Sequence, residues 1–236
     1  MIRQLKKRLS SFRRKKKFQS FYANFVNKGD LCFDIGANIG NRTEVFLDLK
    51  ARVISVEPVE ESYLELKKKF GEHPNSTILQ LGLGSEAGEK DIYISNISEV
   101  CTFSKQFIEQ YKNQEKFNIQ WDELRSTEIK TLDQLISEYG IPTFCKIDVE
   151  GFELEVLKGL SQPLPIISFE YNAKLKNLAL DCMSRLSKFG SLSYNFSPYE
   201  SMNFSFKSWQ NEADFRQFIT TLPDEMKTGD IYVKEL

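Results

Sequence analysis

The chain has 236 residues, of which 41% are hydrophobic and 28% charged, with a formal net charge of −1. That length fits one domain of ~100–200 residues with an appendage, and the composition excludes a disordered or collagen-like chain. The charge is unevenly placed: residues 1–29 hold ten basic residues and no acid, which leaves 22 basic against 33 acidic residues, a net of −11, on the rest.

In the basic arm, Leu5, Leu9 and Phe12 fall at helical spacing, as do Phe18, Phe21, Tyr22, Phe25 and Val26. The second set is expected to pack on the domain. For residues 1–17 three readings stand: a solvated basic helix end, attachment to an anionic membrane surface, and contact with nucleic-acid phosphate. The acidic body argues against nucleic acid as a partner. No apolar run of ~18 residues is present, so no spanning helix is expected. The N-terminus also lacks the apolar core and cleavage site of a secretory signal. The four cysteines (Cys32, Cys101, Cys145, Cys182) form no CxxC pair, so neither a zinc cage nor a redox motif is visible. Cys32 and Cys145 lie in apolar runs and read as buried thiols, which suits a cytoplasmic protein, peripheral to a membrane if the arm binds lipid.

After the arm, short apolar runs alternate with helical patterns. Leu31–Ile35 reads as a strand, Gly36–Gly40 as a glycine-rich loop and residues 41–50 as a helix. Arg52–Val56 is a second strand, 60–70 a helix, Ser76–Leu81 a third strand and Asp91–Ser95 another. Residues 96–127 break the rhythm and read as a long irregular connection, a lid or substrate loop. Thr131-Leu132-Asp133-Gln134 offers a capping box for a helix to about Tyr139. Then come a strand over Phe144–Val149, a helix over 151–160, a strand over Pro165–Tyr171 and a helix over 174–189. The tail carries strands near 192–197 and 230–234. The alternation predicts an α/β fold, a mostly parallel sheet with helices on both faces, in residues 30–236.

Ligands of such sheets bind at the carboxyl ends of the strands. The first strand ends in Asp34-Ile35-Gly36-Ala37-Asn38-Ile39-Gly40. Gly36 permits a tight turn, Gly40 lets the following helix pack close and leaves room for a bound ligand, and the helix start offers free N–H groups that favour an anionic group. Glu57 ends the second strand, where an acid can accept both hydroxyls of a ribose. A dinucleotide site expects G-x-G-x-x-G, whereas this loop is G-x-N-x-G with Asp34 before it. An anion there would repel a pyrophosphate but suits the ammonium and sulfonium of S-adenosylmethionine (SAM). Candidate bases for a transfer reaction are Asp148, Glu150 and Glu170 at strand tips, with Lys146 alternating onto the same face to screen them. The same three carboxylates could alternatively hold Mg²⁺, or serve as structural contacts on the SAM side. The single histidine, His73, lies in a turn remote from these tips.

The segments Asp34–Gly40, Glu57-Pro58 and Lys146-Ile147-Asp148-Val149-Glu150-Gly151-Phe152-Glu153 together resemble the FkbM-type SAM-dependent methyltransferases. Leu132-Asp133, Leu157-Lys158-Gly159 and Leu81–Gly84 with Gly88 fit the same pattern, so the likeness runs over about residues 30 to 172. The resemblance implies a Rossmann-like class I methyltransferase with a seven-stranded, mostly parallel sheet whose last strand is antiparallel. It implies that Asp34, Gly36 and Asn38 line the methionine end of SAM, Glu57 the ribose, and Leu83, Gly84 and Ser85 the adenine. It also implies O-methylation of a sugar, glycan or small hydroxylated acceptor. Two readings from other classes stand beside it: a non-catalytic SAM- or nucleotide-binding module acting at a membrane surface, and a nicotinamide-dependent oxidoreductase, which Asn38 and the Asp34 charge disfavour.

Overall fold

A computed structural model describes residues 13–112, 118–223 and 225–235. Leu5 and Leu9 of the arm, with Phe12, lie outside the described residues. Helix α1 covers 13–22 and is followed by strand β1 (Leu31–Ile35), α2 (Asn41–Asp48), β2 (Arg52–Val56), α3 (Glu60–Phe70) and β3 (Ser76–Leu79). Next come β4 (Gly82–Leu83), β5 (Gly88–Ile94), α4 (Lys105–Tyr111), β6 (Glu123–Lys130), α5 (Leu132–Tyr139) and β7 (Phe144–Ile147). The chain ends with α6 (Glu153–Lys158), β8 (Ile166–Asn172), α7 (Lys176–Leu186), β9 (Leu192–Pro198), α8 (Glu212–Thr221) and β10 (Thr228–Glu235).

Seven strands form one sheet in the order β3-β2-β1-β7-β8-β10-β9. β3 through β8 pair in parallel, and β10 runs antiparallel between β8 and β9. The expected Rossmann-like architecture is therefore present, its antiparallel last strand included. The order reverses between β1 and β7, which opens a crevice at their carboxyl ends.

Period-two alternation explains how the sheet is covered. Leu31, Phe33 and Ile35 of β1 face one core, with Leu135 of α5, Leu157 of α6 and Met183 of α7. Cys32 faces the other core, with Phe46 of α2 and Phe144 of β7. Phe18, Phe21, Tyr22 and Val26, read as a packing stripe, join that second core. Tyr22 meets Phe46 edge-on at 5.0 Å and Phe144 at 5.5 Å, while Phe25 stacks on Tyr232 of β10 at 6.0 Å. Ring pairs of this geometry contribute ~0.5–1.5 kcal/mol each beyond the area they bury. Cys32 and Cys145 are buried free thiols. The capping box at Thr131 forms in both directions.

Three expectations need correction. Residues 96–127 are not irregular throughout: among the described residues they hold a 3-10 turn, α4, and the start of β6, which pairs antiparallel with β5 in a second sheet ordered β4-β6-β5. β6 reads E-L-R-S-T-E-I-K with only Ile129 buried, so its sequence lacks the apolar alternation of a strand. The third strand stops at Leu79 because the chain then leaves β2 and pairs Gly82–Leu83 with Ile129–Lys130. Helix α8 was not expected from the tail. Its signals are present: Asn211 accepts from the Asp214 N–H, and Phe215 and Ile219 bury one turn apart.

Gly36 shows what holds the crevice shut at its base. Its φ is 77°, and a Cβ there would sit 1.7 Å from the Asp148 carbonyl oxygen. The loop after β1 can thus approach the end of β7 only with no side chain present. Replacing Gly36 with Ala is expected to cost roughly 3 kcal/mol or more, through backbone strain and displacement of β7. Urea denaturation checks this; a loss below about 1 kcal/mol would show that the two segments can separate freely.

Candidate active site

A cavity of about 210 Å³ lies over the carboxyl ends of β1, β2 and β7. Asp34, Gly36, Asn38, Glu57, Asp148 and Glu150 line it, so six of the expected site residues converge. Asp34 is buried and accepts from Thr43 Oγ1 at 2.6 Å, and that hydroxyl also meets Ser55 Oγ at 2.8 Å. Burial raises the Asp34 pKa against the lowering effect of Thr43. Gly36 N and Ala37 N donate to Val56 O, both at 3.0 Å, which folds the loop onto β2. Asn38 holds a left-handed φ of 47°, which asparagine tolerates better than most residues.

Glu57 clamps this loop. Its Oε2 accepts from Asn38 N at 2.7 Å and its Oε1 from Val59 N at 2.8 Å. Burial pushes its carboxyl up to about 7, against those two N–H donors. Gly40 does not line the cavity. It caps α2 at φ 89°, and a Cβ there would sit 2.5 Å from Leu66 and Phe70 of α3. Its role is helix packing, one of the two uses read from the sequence.

Leu83 and Gly84 lie elsewhere. Leu83 belongs to the hydrophobic core, and Gly84 lines a separate surface recess with Ser85, Phe152 and Glu155. A further wall of the cavity comes from Ile92, Ser98, Glu99, Cys101 and Phe103. Thr102 Oγ1 donates to Glu150 O at 2.7 Å and fastens that wall to the loop after β7. Sequence reading missed these residues because the segment carries no motif and is placed only by the small sheet.

Asp148, Glu150 and Glu170 do meet: one carboxylate oxygen from each lies within 4.8 Å of the others. Burial raises the Glu150 carboxyl well above its ordinary range, reinforced by Asp148 and Glu153; burial does the same to Glu170, reinforced by Glu150 and Asp148. Hard oxygen donors in this arrangement could hold a divalent cation. A cation is already built in beside Asp148, however. Lys146 is fully buried, and its Nζ lies 3.0 Å from Asp148 Oδ2 and 3.0 Å from Asp230 Oδ1. Burial disfavours its charge, but Asp148 and Asp230 outweigh that and hold its pKa up.

Glu153 explains the end of the K-I-D-V-E-G-x-E run. Its Oε1 accepts from Val149 N at 3.1 Å and Gly151 N at 3.2 Å, which fixes the turn carrying Glu150 at a left-handed φ of 52°. A second recess of about 440 Å³ continues from the first and is lined by Arg42, Asp148, Glu150, Glu170, Glu200 and Asp230. Arg42, Asp148, Glu150 and Glu200 border both. His73 stays in its turn, where Nδ1 accepts from Asn75 N.

A family model described as the methyltransferase FkbM domain matches residues 34–192. The chain belongs to the FkbM methyltransferase family. A curated relative is the hexuronic acid methyltransferase AglP of Haloferax volcanii, 31% identical over 149 residues, or 61% of this chain and 55% of that protein. The chain thus spans about half the length of the curated relative it matches. Solved structures with a similar fold include the precorrin-6Y C5,15-methyltransferase of Geobacter metallireducens, at 10% identity and a TM-score of 0.45, covering 94% of this chain and 86% of that one. Another is a TehB-like SAM-dependent methyltransferase of Corynebacterium glutamicum, at 8% identity and a TM-score of 0.45, covering 93% and 88%. In this FkbM chain the matched stretch holds every residue of the crevice from Asp34 to Glu170, whereas Glu200 and Asp230 lie beyond it.

The Glu153 carboxyl is pushed up to about 7 by burial, against the lowering effect of its backbone donors. A carboxyl raised in the folded state keeps its proton where the unfolded chain has lost it, so its contribution to stability falls as pH rises from about 4.5 to about 7. Gln at this position accepts the same N–H groups without the charge. Glu153→Gln is therefore expected to flatten the fall in stability between pH 5 and pH 8, measured by urea denaturation. An unchanged slope would remove Glu153 from the set of groups that cause it.

Proposed function

We propose that this chain is a SAM-dependent O-methyltransferase that acts on a hydroxyl of a sugar or similarly hydroxylated acceptor. The observation that carries this reading is one continuous crevice with a nucleoside cradle at one end and three strand-tip carboxylates at the other. Membership of the FkbM family supports methyl transfer, and the relative named for a hexuronic acid substrate supports a sugar acceptor.

The residues fit such a cofactor. Each Glu57 oxygen accepts one backbone N–H and retains lone pairs, so the carboxylate can also take the ribose hydroxyls. Asp34, buried at the mouth of the glycine loop, suits the ammonium of the methionine end. Ile92, Cys101 and Phe103 offer an apolar wall for adenine. SAM, when bound, supplies a methyl carbon on a sulfonium, which is already a good leaving group. The chain's own work is to align the acceptor oxygen and remove its proton. Glu150 and Glu170 lie where the two recesses meet or adjoin, and their raised pKa values make the ionised form a competent base. Lys146 orients Asp148 and balances its charge.

Glu57→Ala is expected to weaken SAM binding at least tenfold by calorimetry; unchanged affinity would contradict the ribose contact. Glu170→Gln is expected to lower kcat by about 10²–10⁴ while SAM affinity stays within threefold, the usual range for losing a general base. Because the base must first lose its raised proton, wild-type kcat is expected to go on climbing with pH well above the ordinary carboxylate range. Full turnover by Glu170→Gln on an acceptor that the wild type methylates would exclude it as the base.

For residues 1–17, attachment to an anionic membrane surface stands as a second reading beside a solvated basic helix end. Arg13, Lys16 and Lys17 of α1 are exposed and continue the basic run of residues 1–12, and no helix of the described residues is long and apolar enough to cross a membrane. Sedimentation with vesicles containing phosphatidylglycerol is expected to fall on removal of residues 1–12; equal sedimentation would leave the arm a solvated helix end.

A further inference from the structure

Arg42 sits on the first turn of α2, two residues past Gly40, and its side chain borders both recesses. Its guanidinium carbon lies 4.4 Å from the centre of the Phe18 ring of α1, a cation–π seat that fixes its plane. Among the described residues its one hydrogen bond runs from Nη2 to Glu200 Oε1 at 3.3 Å. That is beyond the usual range for a charge-assisted pair, ~2.7–2.9 Å. Glu200 is half-exposed and also bonds Arg14, so it is shared and free to shift. Arg42 Nε is buried and has no hydrogen-bond partner among the described residues.

An orphaned buried N–H costs about 1–3 kcal/mol, and native structures rarely keep one without a reason. The unused donors of this fork, Nε and its neighbours, form the side on which a carboxylate binds with two parallel bonds. The charge of the walls points the same way. Arg42 and Lys146 are the cations among the described residues that line the two recesses, and Lys146 already serves Asp148 and Asp230. Arg42 faces Asp230 and, among the described residues, is hydrogen-bonded only by the long bond to Glu200, so its fork keeps donors to offer an anion.

We propose that Arg42 is the carboxylate receptor of this crevice, holding an acid group of a bound ligand where the cofactor and acceptor recesses join. The proposal rests on the methyltransferase reading above. Two sources offer that chemistry: the amino-acid end of the cofactor, and an acidic sugar in the acceptor. The carboxylate would displace Glu200 from Nη2 and satisfy Nε, while Phe18 keeps the fork in plane.

Calorimetry on the full chain tests this with two matched pairs of probes. S-adenosylhomocysteine carries the carboxylate, and methylthioadenosine is the nucleoside without it. Glucuronate and glucose, titrated into protein saturated with S-adenosylhomocysteine, form the second pair. Arg42→Gln is expected to lose at least tenfold in affinity for the acid member of one pair, with the neutral member unchanged within twofold and partial rescue in Arg42→Lys. Loss in the first pair assigns the cofactor as the source; loss in the second assigns the acceptor. Equal affinities in wild type and Arg42→Gln for all probes overturn the assignment of Arg42 alone. So does a parallel loss for acid and neutral members with a lowered Tm, which would make Arg42 only a fastener of α1. Wild-type protein that binds neither nucleoside refutes the cradle itself, and this proposal with it.

Discussion

A lysine with no exposed surface organises the carboxyl end of the sheet. Lys146 leaves β7 beside Asp34 on one neighbour strand and Ser168 on the other, and its Nζ reaches past β8 to Asp230 on β10. Ser168 is small and fully buried, which leaves room for the aliphatic stem to cross. Removing one partner of a buried pair commonly costs ~3–5 kcal/mol, because the other charge is then stranded. A buried pair is nonetheless weak evidence of stability, since apolar side chains of similar volume often do as well. Its value here is positional. It ties the parallel half of the sheet to the antiparallel strand and holds Asp148 aside, while its pull on Glu150 and Glu170 is outweighed by the burial and carboxylate repulsion that raise both their pKa values.

The parts of the site that local backbone geometry dictates were legible in the sequence. Gly36 is forced by the nearby Asp148 carbonyl, Asn38 by its left-handed backbone, and Glu57 by its place at the tip of the second strand. The K-I-D-V-E-G-x-E run was legible as a unit, although the role of Glu153 became apparent only with the turn it bonds. The apolar spacing of Phe18, Tyr22 and Val26 told correctly which face of the arm would be covered.

What escaped was placed by long-range pairing. Asp230 and Glu200 come from the far end of the chain, and no local signal marks them as neighbours of Lys146 and Arg42. β6 is solvated on most of its length and has the composition of a loop. Its pairing with β4 draws Leu83 into the core and away from the crevice, while β5 and the segment after it bring Ile92 and Phe103 to the wall. The loop expected to be irregular therefore contributes an ordered side of the cavity.

The antiparallel insertion of β10 has a practical consequence for anyone trimming this protein. The stretch matched by the family model ends at residue 192, where β9 begins, and starts after α1. A fragment cut at those limits would leave β8 as a raw sheet margin, with Phe169 and Tyr171 stripped of their cover. Such a bare, apolar edge pairs readily with its own copies. Workable expression fragments must keep the α1 residues from Phe18 onward and run through β10.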